Sequence, residues 1–134
     1  MTGRSLAFLG IVGVAIGLAA VPALAKGPSA TLKLLDPDND GSVDLAEAKK
    51  AGGAEFDKLN KDSDNTLDAK ELKGHLSKKE LEAADPDKDG TLTKDEYLAL
   101  VEARFKAADP DNDGKLDDNE LSSKAGKDLV KLLK

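Results

Sequence analysis

Four acidic twelve-residue segments in tandem constrain this chain more than any other feature. They are DPDNDGSVDLAE (36–47), NKDSDNTLDAKE (60–71), DPDKDGTLTKDE (85–96) and DPDNDGKLDDNE (109–120). They align without gaps, and their first residues stand 24, 25 and 24 positions apart. Positions 1, 3, 5 and 12 carry a side-chain oxygen in every copy, and position 8 is always aliphatic: Val43, Leu67, Leu92 and Leu116. Self-similarity at a fixed period means one supersecondary unit used several times. Left empty, each segment gathers carboxylates that repel one another, so the pattern calls for a cation.

The spacing is that of the EF-hand loop. Side chains at positions 1, 3 and 5, the carbonyl at 7, position 9 and a bidentate Glu at 12 surround one ion, and position 6 makes a sharp turn. In loop one these are Asp36, Asp38, Asp40, the Ser42 carbonyl, Asp44 and Glu47, with Gly41 at the turn. Loop two offers Asn60, Asp62, Asp64, the Thr66 carbonyl, Asp68 and Glu71, and turns on Asn65, a residue that tolerates the left-handed region. Loop three offers Asp85, Asp87, Asp89, the Thr91 carbonyl, Thr93 and Glu96, with Gly90. Loop four offers Asp109, Asp111, Asp113, the Lys115 carbonyl, Asp117 and Glu120, with Gly114. One such match leaves room for a chance acidic turn; four in tandem, each ending in Glu, do not. Loops one and four hold a carboxylate at every side-chain position, loop three lacks one at Thr93, and loop two starts on a neutral Asn60. The expected order of strength is one and four, then three, then two.

The connectors set the architecture. Ser29 caps a short helix reaching Leu35, and Leu45, Ala48, Phe56 and Leu59 form a helical stripe weakened by Gly52 and Gly53. Tyr97, Val101, Phe105 and Ala108 form a cleaner one. Between loops two and three, Gly74 breaks the chain. Ser77 and Glu80 make a capping box there, and Leu76 can staple onto Leu81. Ser123 opens a last helix carrying Leu129, Leu132 and Leu133. A helix of about 15 residues is about 22 Å long and keeps apart the loops at its two ends. Loop two is therefore expected to pair with loop three and loop one with loop four, near Val43, Leu67, Leu92 and Leu116. The fold class expected is all-α: a compact EF-hand helical bundle with four metal loops and fused short connecting helices. With only Phe56, Tyr97 and Phe105 as aromatics after residue 25, its metal-free form is expected to be loose.

The N-terminus reads as a secretory signal peptide. Arg4 supplies the positive start, Leu6 to Ala20 the apolar run, and Ala23-Leu24-Ala25 the small-residue site, with cleavage before Lys26. The run is short against the roughly 20 residues a membrane span requires, and without cysteine there is no lipid-acylation site. The expected domains are thus a cleaved segment, 1–25, and a four-EF-hand metal-binding domain, 26–134, exported to the periplasm and free of the membrane. Loss of Arg4 takes the net charge from −6 to −7. That balance argues against nucleic acid and anionic membranes and suits cations. Without thiolates, the metal must be hard and oxygen-ligated.

Calcium is the ordinary reading of such loops. Two features favour a higher charge. Asp at position 9 adds a carboxylate, and a trivalent ion gains more from each one. Pro37, Pro86 and Pro110 follow the first ligand; they either stiffen the loop or merely stop the incoming helix. The segments EFDKLNKDSDNTLDAKELKG and EYLALVEARFKAADPDNDG, with the signal peptide and the D-P-D-x-D-G loops, resemble the lanmodulins, periplasmic lanthanide-binding proteins of methylotrophic and related bacteria. The resemblance implies lanthanide(III) ions as preferred ligands with Ca2+ weaker. It also implies metal-induced folding and a role in lanthanide uptake, storage or supply, with a lanthanide-dependent alcohol dehydrogenase or uptake machinery as partner. The lanmodulin pattern leads one to expect the weak loop fourth, whereas here loop four is complete and loop two departs.

A periplasmic Ca2+ buffer or sensor is the alternative. A sensor's Met-rich groove has no support, since Met1 is the only methionine. An enzyme is not expected, because His75 reads as a solvent-facing linker residue with no nucleophile around it and the carboxylates are committed to the loops. Lys49-Lys50 and Lys78-Lys79 read as solvated helix faces. Tyr97, beside Glu96 and with no Trp present, is placed to sensitise Tb3+ emission from loop three.

Overall fold

The computed structural model describes residues 27–134; the signal-peptide reading falls outside the described residues. Short strands alternate with helices: α1 (Ala30–Leu35), β1 (Val43–Asp44), α2 (Leu45–Leu59), β2 (Thr66–Leu67), α3 (Lys78–Ala84), β3 (Leu92–Thr93), α4 (Lys94–Ala108), β4 (Lys115–Leu116), α5 (Asp118–Ser122) and α6 (Lys124–Val130). The protein is mostly helical, and each strand is two residues drawn from the loop around position 8.

Those strands pair as the connector lengths require. β1 runs antiparallel to β4 with Val43 opposite Leu116 and Asp44 opposite Lys115. β2 runs antiparallel to β3 with Leu67 opposite Leu92 and Thr66 opposite Thr93. Loop one thus pairs with four and loop two with three. All four position-8 side chains are fully buried, which is why an aliphatic residue recurs there. α2 leads from loop one to loop two, and α4 from loop three to loop four. The pairing therefore makes these helices antiparallel and sets the two ribbons at opposite ends of the bundle.

Local signals explain the helix starts. Ser29 accepts from the Leu32 N–H to open α1, Ser77 and Glu80 close a reciprocal box at α3, and Ser123 opens α6. Leu76 and Leu81 are both buried beside the α3 cap. Gly52 and Gly53 do not break α2, which continues unbroken from Leu45 to Leu59. A Cβ on Gly52 would stand 2.9 Å from Val101 Cγ2, so the glycine lets α2 and α4 approach closely. That packing offsets a helix-propensity cost of about 1 kcal/mol. Phe56 meets Tyr97 edge-on, with ring centroids 5.7 Å apart, and the Tyr97 hydroxyl donates to the Leu132 carbonyl at 2.7 Å.

Three connector expectations need correction. The last helix stops at Val130, and Leu132 and Leu133 enter the core from the turn that follows. His75 does not simply face solvent. Its side chain is 18 % exposed, with Nδ1 2.6 Å from the Lys131 carbonyl oxygen and Nε2 3.9 Å from the Glu55 carboxylate. The Nδ1 contact fastens the break at Gly74 (φ +93°) to the end of α6. The reason is tertiary: reversing the chain at Gly74 brings distant segments against the neighbouring residue. Lys49, likewise, pairs with Glu102 of α4 at 2.7 Å.

Candidate metal centres

Each loop is built by its own backbone. Position 6 takes a positive φ at Gly41 (89°), Asn65 (70°), Gly90 (87°) and Gly114 (83°). Position 4 does so as well, at Asn39, Ser63, Lys88 and Asn112, with φ between 57° and 61°. Two left-handed residues two apart wrap the chain so that the amides between them face inward. Sequence reading anticipated position 6 but missed position 4. Asn at 39 and 112 carries the signal there, while Lys88 and Ser63 hide it.

In loops one, three and four the first carboxylate organises the turn. Asp36 accepts from the N–H groups of Asp40 (3.1 Å) and Gly41 (2.9 Å). Asp85 accepts from Lys88 (2.8 Å) and Gly90 (2.7 Å), and Asp109 from Asp113 (3.2 Å) and Gly114 (3.0 Å). All three are buried. Burial pushes their pKa values up, but the glycine N–H, the position-3 carboxyl and neighbouring amides outweigh it, and each lies below the ordinary aspartate value. Their position-3 partners Asp38, Asp87 and Asp111 are raised, first through the hydrogen bond shared with position 1.

The carboxylates converge in three of the four loops. One oxygen from each of Asp36, Asp38 and Asp40 lies within 4.8 Å of the others. The same holds for Asp85, Asp87 and Glu96, and for Asp109, Asp111 and Glu120. Loop two forms no such group among the described residues.

Positions 9 and 12 have a second duty that sequence reading missed. Position 9 is the N-cap of the exiting helix and position 12 is its third residue, so the two form a capping box. Asp44 with Glu47, Thr93 with Glu96, and Asp117 with Glu120 all do this. The signal was present in the sequence as a D/T-x-x-E spacing. Thr93 therefore supplies the cap in place of an aspartate, while bringing no charge. In these three loops the Glu uses Oε2 for the cap N–H. Glu47 Oε1 is buried without a hydrogen-bond partner, an arrangement suited to a metal ligand. Burial raises the Glu47 pKa. At Glu120 the Asp117 N–H lowers it, but burial and the charges of Asp111, Asp117 and Asp113 prevail and the value is raised.

Loop two is built differently. Asp68 accepts from the N–H groups of Lys70 (2.8 Å) and Glu71 (2.9 Å), and residues 69–75 form a turn rather than a helix. Glu71 uses both oxygens: Oε2 accepts from the Asp68 N–H at 3.3 Å, and Oε1 from the Lys61 N–H at 2.9 Å. Lys61 stands at position 2, where the other loops have proline and so no N–H to offer. Asp64 sits below its ordinary value because the Thr66 hydroxyl and N–H bind it. Asn60 Oδ1 is buried without a partner.

Comparison with known proteins follows this geometry. The EF-hand domain pair family matches residues 63–104, and the EF hand family matches residues 100–123; loop one lies outside both. The chain is 58% identical over 64 residues to lanmodulin of Methylorubrum extorquens, a match covering 45% of this chain and 47% of that protein. The match therefore spans about half the length of that relative.

Proposed function

We propose, from the premise that the chain is a lanmodulin-like EF-hand protein, that it binds trivalent lanthanide ions through these loops in the periplasm. Binding folds and tightens it, and it serves the uptake, storage or supply of the metal. The observation that carries this is the convergence of three carboxylate oxygens within 4.8 Å in each of loops one, three and four. Hard oxygen donors in that geometry accept a hard cation of calcium-like size. The attraction grows in proportion to ion charge while the donor set stays the same, which favours a trivalent ion. The orphaned oxygens of Glu47 and Asn60 add acceptors that nothing in the protein satisfies. Because the loops gain stability from the ion, binding free energy becomes folding free energy. No helix among the described residues is long and apolar enough to cross a membrane. A lanthanide-dependent alcohol dehydrogenase or uptake machinery fits as partner.

The test is a Tb3+ titration excited through Tyr97, run alone and against excess Ca2+, beside helical circular dichroism. Saturation at sub-micromolar Tb3+ with little displacement by Ca2+ supports the reading. Equal responses to both ions replace it with a Ca2+ buffer.

A further inference from the structure

One ligand oxygen in this protein already holds a cation, and that cation belongs to another loop. The β1–β4 register sets Lys115, position 7 of loop four, opposite Asp44 of loop one. From there its ammonium reaches Asp40 Oδ2 at 2.5 Å. Asp40 is the position-5 carboxylate of loop one, and its other oxygen accepts from the Ser42 N–H (2.9 Å) and hydroxyl (2.7 Å). Both Asp40 oxygens are therefore engaged. At the other end of the molecule the same register places Thr66 opposite Thr93, two hydroxyl residues and no charge. Asp64, Asp89 and Asp113 accept from their own loop N–H groups, and among the described residues none of them forms an ion pair.

The pair does little for stability. The Lys115 and Asp40 side chains are 50 % and 36 % exposed, and exposed ion pairs contribute close to nothing in most proteins. The consequence lies instead with an incoming ion, which must displace the ammonium from Asp40 and then share the site with it.

We infer that Lys115 is a specificity-determining residue of loop one, a tethered cation from loop four that weakens trivalent ions there more than divalent ones. The repulsion scales with the charge of the bound ion, so the penalty in free energy for a 3+ ion is one and a half times that for a 2+ ion. Loop one, with five carboxylates at its liganding positions, is thereby held below the trivalent preference its composition suggests. The inference rests on loop one being a cation site.

The experiment uses the full chain with Lys115→Met and Lys115→Arg. La3+ and Ca2+ are titrated separately from chelator buffers, and the amides of Gly41 (loop one) and Gly90 (loop three) are followed by NMR. Lys115→Met is expected to tighten loop one roughly fivefold for Ca2+ and, by the same proportionality, roughly tenfold for La3+. Gly90 should report unchanged affinities, and Lys115→Arg should keep the original values. Unchanged loop-one affinities, an equal gain for both ions, or an Arg variant behaving like Met would overturn the inference while leaving the proposed function standing. A Gly41 amide indifferent to both ions in the unsubstituted chain would overturn the inference alone, and Gly41 and Gly90 both indifferent would overturn the proposed function with it.

Discussion

Loops two and three are joined by one ribbon, as loops one and four are joined by the other, yet loop two alone forms no group of three carboxylate oxygens; in the other loops that group includes the position-1 aspartate, where loop two has Asn60. It does not lack carboxylates: Asp62, Asp64, Asp68 and Glu71 match the count in loop three. The difference lies in what those groups already hold. In loop three Asp85 folds the turn onto itself and Pro86 offers Glu96 no N–H. In loop two the neutral Asn60 does not organise the turn, and the Lys61 N–H takes the second oxygen of Glu71. Convergence depends on where the backbone amides hold each carboxylate, and not on the number of acid residues alone.

The largest effect should separate the loops at position 12. Glu120→Gln removes a charge from a converged site and should weaken loop four about a hundredfold. Glu71→Gln removes a group already engaged by two amides and should cost loop two about tenfold or less. Site-resolved calorimetry or NMR titration reads both, and equal losses would break the comparison. Next in size, Lys61→Pro deletes the competing N–H and should tighten loop two about tenfold, whereas Lys61→Ala, which keeps it, should change little. Asn60→Asp should also strengthen this site; a weakest site left unmoved would reverse the ranking of the loops.

Acid provides a smaller, global test. The raised carboxyls Asp38, Asp87, Asp111, Glu47 and Glu120 bind protons more tightly in the folded protein than in the unfolded chain. Their contribution makes the metal-free protein more stable as pH falls through those raised values. The lowered groups Asp36, Asp85 and Asp109 act oppositely, as does Asp40, held at about 2 chiefly by Lys115. Their stabilisation is present above the unfolded value and lost as pH falls through the folded one. Metal-free thermal stability should therefore peak at mildly acidic pH, and bound metal should remove the peak, since ions replace those protons. Melting curves at stepped pH with and without La3+ check it. The smallest effect is Lys88→Asn, which relieves a left-handed lysine (φ 59°) and should stabilise the metal-free form by about half a kcal/mol. The equivalent change at Asn39 has nothing to relieve.

The loops, their turn residues, the helix starts at Ser29, Ser77 and Ser123, and the pairing of loop one with four and two with three are legible from the residues alone. Those features follow from local chemistry: side-chain caps, a left-handed requirement, and helices too long to let neighbouring loops meet. Gly52 looked like a defect in a helical stripe and His75 like a linker residue, because their reasons lie in Val101 and Lys131, far away along the chain. Which distant groups reach the loop carboxylates is settled by the fold. Lys61 and Glu71 are 10 residues apart, and Lys115 and Asp40 are 75. Neither contact has a periodic signature, since each depends on a chain folded back to within a hydrogen bond. The capping boxes at positions 9 and 12 fall between, visible as a spacing yet given their full meaning by the helices they start.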